Sequence, residues 1–147
     1  MKNAKSHMNG KKALPILLII AAVVLLILLL RSCGKAGEDL STTEGRQAFL
    51  SALGWEIDVA SEDIRTVQLP DTMEGLLEDY NEMQQTQGYD LSRHLGEQCQ
   101  QITYRVTNYP DDSQTVLVTL YIQGRRLIAG DLHSTALNGF MHGLKME

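Results

Sequence analysis

Asp131 and His133 stand two residues apart in the stretch 127–133, and His142 follows in the C-terminal tail. Residues two apart on a strand point to the same face, so a carboxylate and an imidazole come side by side. Such a pair can hold and move a proton or supply two metal ligands. His142 or Ser134 would be the next partner, which makes Asp131, His133 and His142 the candidate polar cluster of this chain. The competing interpretation is structural: an Asp at the edge of an apolar face needs a hydrogen-bond partner, and a satisfied Asp131 would pin the tail. It carries the greater weight, because perturbed polar groups serve structure as well as chemistry.

Two other sets of residues bear on chemistry. His94 and Glu97 have the H-x-x-E spacing that places both on one helix face. No third ligand accompanies them, and a metal site needs three or four. The two cysteines, Cys33 and Cys99, form no C-x-x-C and imply no zinc. They do not make a disulfide framework, and their pairing is not readable from sequence. No G-x-S-x-G, S-x-x-K, H-E-x-x-H, P-loop or G-x-G-x-x-G occurs. The expectation is a protein without catalytic residues, metal or cofactor.

The elements that would position these residues are legible from their periodicity. Ser41 and Glu44 make an S-x-x-E capping box, and Ala48, Phe49, Ala52 and Leu53 recur at helical spacing up to Gly54. Residues 55–59 and 64–69 alternate as two strands, with Ser61, Glu62 and Asp63 as the turn between them. Asp71 as N-cap and Glu74 predict a second helix. Its apolar stripe is Met73, Leu76, Leu77, Tyr80 and Met83, and Gly88 closes it. Three strands follow. Ile102, Tyr104 and Val106 alternate with polar residues, and a turn at 109–113 leads to Val116, Val118, Leu120 and Ile122. The residues between those four are also fairly apolar, so this strand is expected to be central and covered on both faces. The last strand, 127–133, lies beyond Gly124.

The face on which Asp131 falls depends on the Gly124 turn. A two- or four-residue loop sets Asp131 and His133 on the Val116–Ile122 face, whereas a three-residue loop puts Ile128, Gly130 and Leu132 there. Two-residue loops are the commoner hairpins and suit Gly, although the three-residue register gives the better apolar face. The predicted order is α-β-β-α-β-β-β: an α+β domain with one antiparallel sheet and both helices packed on one face. The tail 138–144, with Phe140, Met141 and Leu144, is expected to close the core as an irregular segment.

Ahead of this domain, residues 13–30 are apolar throughout and uncharged until Arg31. At about 1.5 Å per residue such a run, as a helix, reaches about 27 Å, just enough to span a bilayer core. Lys2, Lys5, Lys11 and Lys12 precede it, so the N-terminus is expected to stay in the cytoplasm and the C-terminal domain outside. The division is then a cytoplasmic N-terminus over 1–12, a transmembrane signal-anchor over 13–30, a linker over 31–40 and an extracytoplasmic domain over 41–147. Three fates of the run are open. A retained anchor is favoured by its length and by the absence of an A-x-A-like cleavage site. Leu30, Arg31, Ser32 and Cys33 resemble a lipobox with Cys33 as the lipidated residue, Arg31 being the departure from that pattern. Simple cleavage is the third.

The net charge of −5 hides a sharp split. Residues 1–37 carry six Lys and Arg and no acid, whereas 38–147 carry seven Lys and Arg against eighteen Asp and Glu, a net −11. An acidic outer domain argues against nucleic acid as partner. The adjacent Arg125 and Arg126 read as a solvated hairpin end.

Several segments together resemble one family. GRQAFLSALGW over 45–55, YNEMQQTQGYDL over 80–91, YRVTNYP over 104–110, GDLHS over 130–134 and GFMHGL over 139–144 are similar to the domain of unknown function 4830. The resemblance implies one compact outer domain on a small membrane-anchored or lipoprotein-like chain of Gram-positive, mostly clostridial, bacteria. It carries over no catalytic residue. The functional expectation is a non-enzymatic envelope module that contacts the lipid bilayer through its anchor and another membrane or envelope protein through its domain. The alternative is a small envelope enzyme or metal-binding protein using Asp131, His133 and His142.

Overall fold

A computed structural model of the chain describes residues 39–111 and 113–145. The expected anchor over 13–30 and Cys33 lie outside the described residues. Among the described residues no helix is long and apolar enough to cross a membrane.

The domain is α+β: one five-stranded antiparallel sheet and two α-helices. In chain order these are α1 (Thr43–Ala52), β1 (Ile57–Gln68), α2 (Leu76–Thr86), a 3-10 turn (Leu91–His94), β2 (Gln98–Val106), β3 (Val116–Gln123), β4 (Arg126–Ser134) and the short β5 (Met141–His142). The strands follow one another across the sheet as β1-β2-β3-β4-β5. β3 is therefore central. Val116, Val118 and Leu120 are buried on one face, and Thr119 is buried on the other, between half-buried Leu117 and Tyr121.

The first two predicted strands are one. Asp58 pairs with Arg105 and Asp63 with Thr103, so residues 59–62 bulge out opposite Tyr104 alone. Bulges bend a strand without ending it. Ser61 stitches this one closed: its hydroxyl donates to the Asp58 carbonyl at 2.6 Å and accepts from Arg105 N–H at 2.8 Å. The bulge swings Glu62 over Tyr104, where it meets Arg46 of α1. Arg46, 2% exposed, donates to Tyr104 Oη at 2.7 Å, to the Leu40 carbonyl at 2.9 Å and to Glu62 Oε1 at 2.7 Å. Tyr104 also donates to Glu62. A buried charge is tolerable only when paired and hydrogen-bonded in this way.

Both helix starts differ from expectation. Thr42, not Ser41, caps α1, accepting from Gly45 N–H at 3.1 Å. Ser41 is held by Asp39 instead. α2 begins at Leu76, with Gly75 at φ 60° as N-cap and no side-chain cap. The chain before it is held at Leu69, whose N–H donates to the Glu97 carbonyl, and at Pro70, whose carbonyl accepts from Gly96 N–H, and it bends at Asp71 and Thr72 before the helix begins.

The two helices lie against opposite faces of the sheet, not on one. Leu50 of α1 shares a core with Trp55, Tyr104, Val118, Leu120 and Leu132. Leu77 and Tyr80 of α2 pack with Leu69, Leu91, Cys99, Ala129 and Tyr121. These two sets alternate along β2, β3 and β4, so they belong to opposite faces.

Candidate functional site

The Gly124 loop has two residues: Gln123 pairs with Arg126 and Ile122 with Leu127. The loop length favoured from sequence is found, but the expected face is not. A bulge at Ile128 follows at once, so Tyr121 pairs with Ala129, Thr119 with Asp131 and Leu117 with His133. One extra residue inverts every side chain beyond it. Asp131 and His133 therefore leave the Val116–Ile122 face and join Thr119 and Tyr121, under α2. Gly130 and Leu132 take the apolar face.

Asp131 is 2% exposed, and both its oxygens are occupied. His133 Nδ1 donates to Oδ1 at 2.8 Å, and Tyr80 Oη of α2 donates to Oδ2 at 2.7 Å. The Asp131 hydrogen bond and negative charge raise the pKa of His133 against its partial burial. Desolvation, with the Asp131 charge, keeps Tyr80 protonated far above its ordinary range. The arrangement ties α2 to β4 through a carboxylate and orients one imidazole, whose Nε2 bonds no other described residue.

His142 does not join them. It pairs with Leu132 in β5 and faces the other side. Its Nδ1 donates to the Gly143 carbonyl at 2.7 Å, and Nε2 accepts from Tyr109 Oη at 3.1 Å. The ring ends a stack with Phe140 and Tyr109 against Trp55, at centroid separations of 5.4, 4.9 and 5.8 Å. The predicted three-residue cluster is thus a pair, Asp131 and His133, plus a separate structural histidine. His94 Nδ1 meets Glu97 Oε2 at 3.0 Å, but the third partner there is Gln123, not a metal ligand. Among the described residues no three His, Cys, Asp or Glu converge as a metal site. Cys99 is buried, and desolvation raises its thiol pKa.

Around the pair opens a groove of about 810 Å³, within the roughly 300–1,000 Å³ usual for ligand sites. Val67, Tyr121, Asp131 and His133 form its floor on the sheet, Leu76, Asp79, Tyr80 and Met83 its α2 wall, and Met141 its far rim. These four α2 positions follow i, i+3, i+4, i+7 spacing, one face of a helix. Of the apolar stripe expected to be core, Met73, Leu77 and Tyr80 do pack inward, whereas Leu76 is 87% exposed, as is Met141 across the groove at 54%. Beside Leu77 and Tyr80, α2 turns two polar residues inward, Asn81 and Gln84, both buried. Asn81 Oδ1 accepts from Leu91 N–H at 2.7 Å, and Gln84 bonds the backbone of Gly130. Sequence reasoning missed both. The available signal was that Asn81 and Gln84 continue the helical line of Leu77 at i+4 and i+7 along one edge of the stripe.

The profile of a family described as a domain of unknown function, DUF4830, matches residues 49–132, more than half of the chain. The chain belongs to this family. No curated protein and no solved structure matches it. The DUF4830 match takes in the α2 wall of the groove and Asp131, and ends one residue before His133.

Proposed function

We propose that this protein is a non-enzymatic binding module of the bacterial cell envelope, a single-pass membrane protein with a cytoplasmic N-terminus and the DUF4830 domain outside. The apolar run over 13–30 with its preceding lysines, and the net charge of −11 beyond it, support the placement. The observation that carries the binding role is the groove. Leu76, Met83 and Met141 line it without being buried, and contiguous exposed apolar surface rimmed by polar groups marks interaction sites.

Three measurements test this. Protease added to protoplasts should digest the C-terminal domain. A domain left intact until the cells are broken would overturn the topology. In the same membranes, photo-methionine should crosslink through Met83 and Met141 to one recurring partner protein, and labelling no greater than at Met73 would remove the binding role. Cys33→Ala should leave the chain in the membrane fraction, because a retained anchor needs no lipid. A parent chain that is shorter than the Cys33→Ala chain by the apolar run and takes up a fatty-acid label would reassign the protein as a lipoprotein.

A further inference from the structure

We infer that the groove between α2 and the sheet takes a basic amphipathic segment of another envelope protein, with apolar side chains in the groove and lysines or arginines over α2. This rests on the binding role proposed above and adds the partner's chemistry.

The lining disfavours an anionic ligand. It contains no Lys or Arg, and the imidazole of His133 is already turned to the Asp131 carboxylate at 2.8 Å. The outer side of α2 and the residues just before it are strongly acidic, and of their acids Asp79 lines the groove. Asp71, Glu74, Glu78, Asp79 and Glu82 fall within residues 71–82, all exposed, with no Lys or Arg among them. The excess of acid over base makes the rim a cation-attracting edge beside an apolar slot, and complementary potentials set partner choice and encounter rate. A second copy would bring the same acidic α2 against the first, and like charges juxtaposed at an interface are penalised. Flexible Met83 and Met141 let the slot adapt to irregular apolar side chains. Apolar anchors spaced along one face, with a charged opposite face, are how amphipathic helices enter grooves.

The full chain in nanodiscs of zwitterionic lipid, with empty discs as control, tests this. The probes are a labelled synthetic Leu/Lys amphipathic helix and its Leu/Glu twin, read by anisotropy and by the methyl resonances of Met83 and Met141. The Leu/Lys peptide should bind about tenfold or more tightly than its twin and shift both methyls. Leu76→Gln with Met141→Gln, at exposed positions that do not support the fold, should weaken it about tenfold, as should Glu78→Lys with Glu82→Lys. Equal binding of the twin overturns the charge assignment, and binding indifferent to the Leu76 and Met141 changes overturns the groove as its seat. If neither peptide shifts the methyls but benzyl alcohol does, the partner class is wrong while the groove stands as a site. If benzyl alcohol also fails, the binding role falls with it. A Met83 methyl that shifts on transfer from detergent to lipid, without peptide, would reassign the slot to an acyl chain.

Discussion

The side chain of Gln84 does for Gly130 what a neighbouring strand would: Oε1 accepts from the Gly130 N–H at 2.9 Å and Nε2 donates to its carbonyl at 3.0 Å. β5 pairs with β4 only at Leu132 and His133, so the edge at Gly130 would otherwise be open. Gln87 reinforces the bond to the same carbonyl at 3.1 Å and accepts from Leu144 N–H at 2.6 Å. One polar helical line thereby closes the sheet edge and holds the C-terminal segment. Gln84→Leu should cost about 2–3 kcal/mol, since it leaves a buried N–H without a partner. Thermal unfolding of the full chain checks this against exposed Gln47→Leu, expected within about 0.5 kcal/mol of the parent.

Gly130 is small because Leu144 lies over it. A Cβ at Gly130 would sit 2.7 Å from Leu144 Cδ1. Gly130→Ala should destabilise by about 1–3 kcal/mol, and Leu144→Ala by about 2–4 kcal/mol. The double variant should lose less than the sum, because the second truncation makes room for the first addition. Strict additivity in melting measurements would show that the tail does not pack there.

His133 gives the domain a pH response near neutrality. Its pKa is raised in the folded state by the Asp131 hydrogen bond, above an unfolded value of about 6.5. A raised folded pKa means the native state binds the proton more tightly. The stabilisation is therefore complete below about pH 6.5 and is lost as pH rises through the folded value. The melting temperature should fall between pH 6 and 8.5, and His133→Gln should flatten that slope.

Acid acts through a different group. Glu62 is partly desolvated, which would raise its pKa, but the Tyr104 and Arg46 hydrogen bonds outweigh this and lower it. Its contribution is present above an unfolded value of about 4.5 and is lost as pH falls through the lower folded one. Glu62→Gln leaves Arg46 buried without its counter-ion and should cost about 2 kcal/mol at neutral pH, a penalty that shrinks toward pH 3.

Leu76 separates folding from recognition. At 87% exposure its change to Gln should move stability by less than about 0.5 kcal/mol. Leu50→Ala, at 0% exposure, should cost about 2–4 kcal/mol. A Leu76→Gln variant that melts early would show that the stripe supports the fold after all.

Local patterns in the sequence determined the α+β class, both helices, the alternation in β2 and β3, the central place of β3 and a turn at Gly124, whose length they left open. Each depends on periodicity or turn chemistry within a few residues. Three outcomes were settled only by tertiary structure. A four-residue bulge joined two expected strands and carries Glu62 over Tyr104 to Arg46 of α1. One extra residue at Ile128 turned Asp131 and His133 from the core face to the groove, since a strand has a period of two and a single insertion inverts it. One side of the α2 stripe, Leu76 and Met83, became a groove wall, while the helix turned Gln84 to the edge of β4 at Gly130, whose N–H and carbonyl it bonds. Bulges and edge satisfaction join residues far apart in the chain, and no local pattern records them.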